Sequence, residues 1–124
     1  MRSLMRLFRS EPAAARPLYD QVVARARQPH WYLAGEVPDT VEGRFSMLAT
    51  LLALVDVRLE SGGDLARRTS VGLSECFIDD MEVENLQLGV SDTGIGKKVG
   101  SLVGALGGRV GTWRRVAAGE GSWE

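Results

Sequence analysis

The stretch VPDTVEGRFSMLATLLALVDVRLE, residues 37–60, decides the fold. Phe45, Leu48, Leu52, Val55 and Leu59 step by three and four residues, and Met47, Leu51 and Leu54 widen the stripe. This is the spacing of one face of an α-helix. A stripe so wide belongs to a helix packed on more than one side, so the spacing predicts a central, buried helix. Asp39 is the expected N-cap, with Glu42 three residues on completing a capping box. Ser61-Gly62-Gly63 ends the helix.

Downstream, Asp64 opens a second long helix whose inner face carries Leu65, Thr69, Gly72 or Leu73, Cys76, Phe77 and Met81. Asp80 falls on that same face, three residues after Phe77. A carboxylate among core residues must find a partner or take up a proton. It is therefore expected to be buried and paired, with Arg44, Arg58, Lys97 or a cluster of backbone amides as candidate partners. Asp79, Glu82 and Glu84 point outward. Met81, Val83, Leu86, Leu88 and Val90 show a partial period of two, which allows a short extended segment after Glu84. Residues 89–96 form a turn in which Asp92 or Thr93 can cap the last helix. Ile95, Val99, Leu102, Val103, Leu106 and Val110 form its apolar face. Gly96, Gly100, Gly104 and Gly108 recur every four residues on another face. Each costs about 1 kcal/mol relative to alanine within a helix, so the stripe, Gly100 and Gly104 above all, is expected to admit another helix at close range.

Upstream, Leu18, Val22, Val23 and Ala26 share a stripe, with Pro17 at an expected first helical position and Pro29 as the stop. Trp31, Tyr32 and Leu33 are expected to plug the core between helices. Met1, Leu4, Met5 and Phe8 form a short stripe interleaved with Arg2, Arg6 and Arg9. This reads as a basic amphipathic or disordered N-terminal segment suited to peripheral contact with an anionic membrane. The expected organisation is a segment 1–16 followed by an all-α, single compact helical domain, 17–124, of about five helices. The closing Ser122-Trp123-Glu124 resembles a helix start, and a continuation past Glu124 is expected.

The chain has 124 residues and a net charge of -1, so bulk charge points to no nucleic acid. The distribution is uneven. Residues 61–92 hold seven acids against Arg67 and Arg68, while both ends are basic. Cys76 and His30 stand alone, which excludes an intrachain disulfide and a Cys/His metal cluster. Cys76 among apolar residues reads as a packed thiol rather than a nucleophile. The run GVSDTGIGKKVG lacks the Gly-Lys-Ser/Thr order of a phosphate loop, since Ile95 stands where lysine is required and Lys98 replaces the hydroxyl. No catalytic residues, no metal site and no cofactor are expected. No stretch is long enough to span a membrane, and the chain is expected in the cytoplasm, with room for peripheral contact at the inner face of the plasma membrane.

Trp31-Tyr32, the stretch from Val37 to Glu60, FIDDMEVENLQLGVSDTGIGKKV from Phe77 to Val99, and Gly108-Arg109 together resemble the ubiquinol–cytochrome c chaperone family. The family's turn is closer to Gly-Val-Gly-Asp, and here Ser91 replaces its second glycine. The resemblance implies an all-α, non-enzymatic chaperone that binds newly synthesised cytochrome b and supports respiratory complex III biogenesis. A small partner protein and the ribosome are further partners implied for mitochondrial members. The alternative from the residues alone is a general helical adaptor or oligomerising module. The client surface is expected around Phe77, Asp79, Met81, Glu82, Glu84, Leu86, Leu88, Val90, Asp92, Lys97 and Lys98, an apolar centre with a charged rim. Trp31, Asp39, Arg44, Phe45, Asp80, Gly100 and Gly104 are expected to be structural.

Overall fold

The computed structural model describes residues 10–119, with side chains from residue 12 onward. The amphipathic stripe at Met1–Phe8 and the Ser122-Trp123-Glu124 end lie outside the described residues. Among the described residues five helices follow one another: α1 (Ser10–Ala26), α2 (His30–Leu33), α3 (Val41–Glu60), α4 (Asp64–Gln87) and α5 (Asp92–Ala117). No described residue is in a strand. No described helix is long and apolar enough to cross a membrane.

α3 is central, as its stripe requires. Ala49, Leu52 and Ala53 are fully buried against Leu73, Cys76 and Phe77 of α4, and Val99 and Leu106 of α5 join the same core. Phe45 meets Phe77, while Asp56 near the other end of α3 meets Ser70. α3 and α4 therefore run antiparallel. α1 lies along α4 in the same direction, since Pro12 pairs with Cys76 and Arg16 with Asp80. α5 packs chiefly on α3. Arg109 holds that contact: its guanidinium lies 5.6 Å over the Phe45 ring and donates to Ser46 Oγ at 3.3 Å. At the far end Arg114 grips both carboxylate oxygens of Glu60.

The helix boundaries depart from the sequence reading in definite ways. α1 begins at Ser10 and carries Pro17 inside it, so the boundary expected after residue 16 falls within a helix. Proline interrupts the backbone ladder, but Ala15 and Tyr19 on either side are both in the core, and their burial against α4 holds the helix together. Thr40, not Asp39, caps α3: its Oγ1 accepts from Gly43 N at 3.0 Å. Asp39 instead takes Arg44 Nε at 2.7 Å. Ser91, not Asp92 or Thr93, caps α5 by accepting from Gly94 N. α4 continues as helix through Gln87, so the extended segment after Glu84 does not form. The turn that follows needs Gly89, whose φ of +90° lies in the left-handed region that side chains avoid.

The glycine stripe faces solvent. A Cβ at Gly96, Gly100, Gly104 or Gly108 would meet nothing within 4 Å. α5 docks through Ile95, Val99, Leu102, Leu106 and Val110, and the glycines lie on the opposite side of the helix. The close helix approach expected at Gly100 and Gly104 is therefore absent among the described residues. Substitution should help rather than clash. Gly100→Ala with Gly104→Ala is expected to raise stability by about 1–2 kcal/mol in total, from helix propensity and a less flexible unfolded chain. Chemical denaturation checks it, and a loss of stability would mean that the face is covered.

Asp56 is a buried carboxylate the sequence reading passed over. Burial pushes its pKa up, partly offset by the hydrogen bond that Ser70 Oγ donates to it at 2.9 Å, with Glu60 adding to the rise. The folded state thus holds this proton more tightly than the unfolded chain. Stability falls as pH rises from the ordinary carboxylate range through the raised value. Asp56→Asn keeps an acceptor for Ser70 and removes the charge. Its melting temperature is expected to exceed the parent's at neutral pH, with the gap closing in acid. A gap independent of pH would contradict this.

Candidate functional site

Between the C-terminal half of α1, the short α2, the start of α3 and the C-terminal half of α4, the bundle leaves an open groove of about 750 Å³. Its floor is apolar: Val23 and Ala26 from α1, Tyr32 from α2, Phe45 and Leu48 from α3, and Met81 from α4. Two exposed apolar side chains stand in its walls, Leu33 at 79% and Val83 at 56% exposure. Arg27, Asp39, Arg44, Asp80 and Glu84 bring charge to the lining.

The local sequence explains how the walls are held. Trp31 and Tyr32 do not plug the core; no residue of α2 is buried. Trp31 Nε1 donates to Arg25 O at 2.7 Å and Tyr32 Oη to Ala26 O at 2.8 Å. These carbonyls belong to the end of α1, where helical N–H donors run out. The aromatic pair therefore fastens α2 across the end of α1 and sets the Tyr32 ring in the groove lining. On the α3 side, Arg44 is pinned by Asp39. Its guanidinium is stabilised first by that hydrogen bond, and attraction from Glu84 on α4 adds to it.

Asp80 is paired, but not as expected. Its partner is Arg16 of α1, at 3.1 Å, and the two side chains are 41% and 38% exposed. Arg44, Arg58 and Lys97 take no part. A pair so open to water contributes modestly, well under the several kcal/mol of a buried one. Tyr19 lies fully buried beside it, with Arg16 stacked 5.2 Å from its ring. Burial, then the Asp80 charge, pushes the Tyr19 hydroxyl strongly up. Cys76 is fully buried, donates to Pro12 O at 3.3 Å, and its thiol is likewise pushed up by burial, which makes it a poor nucleophile.

The expected client residues divide into three sets. Phe77 at 0% and Met81 at 5% exposure are core residues, so Phe77 cannot meet a client and Met81 offers only an edge to the groove floor. The periodicity that places them on the inner face of α4 already implied this. Glu84 lines the groove. Glu82, Leu86, Leu88, Asp92, Lys97 and Lys98 are exposed outside it, with Asp79 and Val90 half-buried nearby. Asp80 and Met81, together with Arg44, Phe45 and Asp39, join Glu84 in the lining. Residues that sequence reasoning left without a role are Arg16 and Gly43, while Leu33, expected in the core, stands exposed in the groove wall. A Cβ on Gly43 would lie 1.8 Å from Pro38 O, so only glycine lets the chain before α3 fold across its first turn. Among the described residues no group of three or more His, Cys, Asp or Glu side chains is placed to hold a metal ion. The arrangement suits a groove that holds an apolar segment.

The profile described as Ubiquinol-cytochrome C chaperone matches residues 34–120, most of the chain and the whole of α3, α4 and α5. The chain belongs to the ubiquinol-cytochrome C chaperone family. Among solved structures, it is similar to the Cbp3 homolog from Brucella abortus, with 28% identity and a TM-score of 0.76. That likeness covers 95% of this chain and 66% of the Brucella protein, so the chain spans just under two thirds of the length of its relative. No functionally curated protein matches it. The described residues are all-α, as the sequence reading expected. The family stretch supplies two walls of the groove, from α3 and α4, while α1 and the aromatic clip of α2, which ends at Leu33, complete it.

Proposed function

We propose that this chaperone binds newly synthesised cytochrome b and holds one of its apolar segments in the groove while respiratory complex III is assembled. The observation that carries the reading is the groove itself, an apolar floor with charged walls, built largely from the family-matched helices. Apolar segments need a water-excluding surface before they reach the bilayer, and a groove walled by helices accepts one by side-chain packing. Leu86 in the last turn of α4, with Leu88 and Val90 just past its end, extends the contact beyond the groove. Lys97 and Lys98 at the start of α5 supply its charged rim. The role is one of holding, with no catalytic step assigned to any residue. Its working place is the cytoplasmic face of the membrane that houses complex III, where a small partner protein or the ribosome joins it.

Photo-crosslinking in cells tests the placement. Probes at Leu33, Val83 and Gln87, around the groove, are expected to trap newly made cytochrome b. Probes at Leu65 and Val103, which the sequence reading placed on inward faces but which are exposed and remote from the groove, are expected to trap none. Equal crosslinking from both sets would overturn the groove as the client site.

A further inference from the structure

We propose that Glu84 is the specificity group of the groove, selecting a helical client segment that carries a lysine or arginine beside its apolar anchors. This rests on the client-holding reading above and names the chemistry of the segment. Three carboxylates line the groove, and two are already neutralised. Asp39 holds Arg44 through Nε at 2.7 Å, and Asp80 holds Arg16 at 3.1 Å. Glu84 forms no ion pair among the described residues, although it lies one helical turn beyond Asp80 and beside the exposed Val83.

The consequence for an occupant follows from desolvation. A purely apolar segment laid over Val83 would strip water from Glu84 and leave the charge without a partner, which is costly. A segment with a carboxylate there would add repulsion. A segment that brings a cation to Glu84 replaces the lost water with a charged hydrogen bond. Glu84 therefore discriminates chiefly by penalising the wrong occupants. Arg44 attracts Glu84 from across the groove but forms no ion pair with it, and its Nε is held by Asp39, so Glu84 keeps room for a cation brought by the client.

Fluorescence anisotropy with two short Leu/Ala-based helical peptides tests the proposal. They are identical except for one Lys or one Glu at the edge of the apolar face. The full chain is expected to bind the Lys peptide about five- to tenfold more tightly at low salt, with the preference shrinking as salt rises. Glu84→Lys is expected to reverse the order. Glu82→Lys, with the same change of net charge but outside the groove, is expected to keep it. If both peptides bind with equal affinity, or if Glu82→Lys reverses the order as well, Glu84 is not the selecting group. If neither peptide binds, the groove does not hold helical apolar segments and the reading beneath the proposal fails with it.

Discussion

Gly43→Ala is expected to unfold the protein at physiological temperature, or to lower its stability by about 3 kcal/mol or more. The new methyl group would lie 1.8 Å from the carbonyl oxygen of Pro38 and 2.8 Å from its carbon. Both atoms are backbone, so no side chain can swing aside. The segment before α3 would have to move, and with it the Thr40 cap on Gly43 N and the Asp39–Arg44 pair at the groove. Helix propensity alone would favour alanine at this position by about 1 kcal/mol, so the sign of the effect separates close packing from local preference. Urea denaturation of the two proteins checks it. A variant as stable as the parent would mean that residues 38–43 are arranged differently.

Phe77→Ala is expected to cost about 3–5 kcal/mol, the range for emptying a well-packed site of an aromatic side chain. Phe77 is fully buried and meets Phe45 at a ring separation of 6.1 Å. Loss of client capture by this variant should track the unfolded fraction and recover under stabilising conditions. A fully folded Phe77→Ala protein that fails to capture would instead place the ring at the client surface, against its burial.

The elements of the fold were legible where a side-chain pattern alone decides the outcome. The three- and four-residue steps from Phe45 to Leu59 placed α3 at the centre. The same logic placed Cys76, Phe77 and Met81 on the inner face of α4, which is at odds with the expectation that Phe77 meets a client, and its burial decides for the core. The caps were less legible. Asp39 and Thr40, or Ser91, Asp92 and Thr93, are neighbours that can all accept a backbone hydrogen bond, and a single step of the chain decides which does. The glycine stripe of α5 shows a different gap. Spacing put Gly100 and Gly104 on one face, but only the docking of Val99 and Leu106 against the core decides whether that face is covered.

The groove could not be read from the sequence. Its lining comes from four helices, and Val23 and Glu84 are brought to it only by the packing of α1 along α4. The Arg16–Asp80 pair illustrates the point. The sequence required a partner for Asp80, but the one it found is 64 residues away on a helix whose start was expected at Pro17. The sequence also marked α4 as a place of unusual charge. The tertiary packing then sorts those acids, taking Asp80 into a pair and leaving Glu84 open in the groove wall.

The most direct measurement is the capture of newly synthesised cytochrome b by the Leu33→Asp, Val83→Asp double variant, with complex III levels followed in the same cells. Both side chains are exposed, so the substitutions should leave helicity and melting temperature close to those of the parent. Both line the groove, so each puts an unpaired charge where an apolar client segment must pack. The expected result is a folded protein whose capture falls roughly tenfold or more, with complex III falling alongside. A folded double variant that captures cytochrome b and supports complex III like the parent would contradict the groove as the client site.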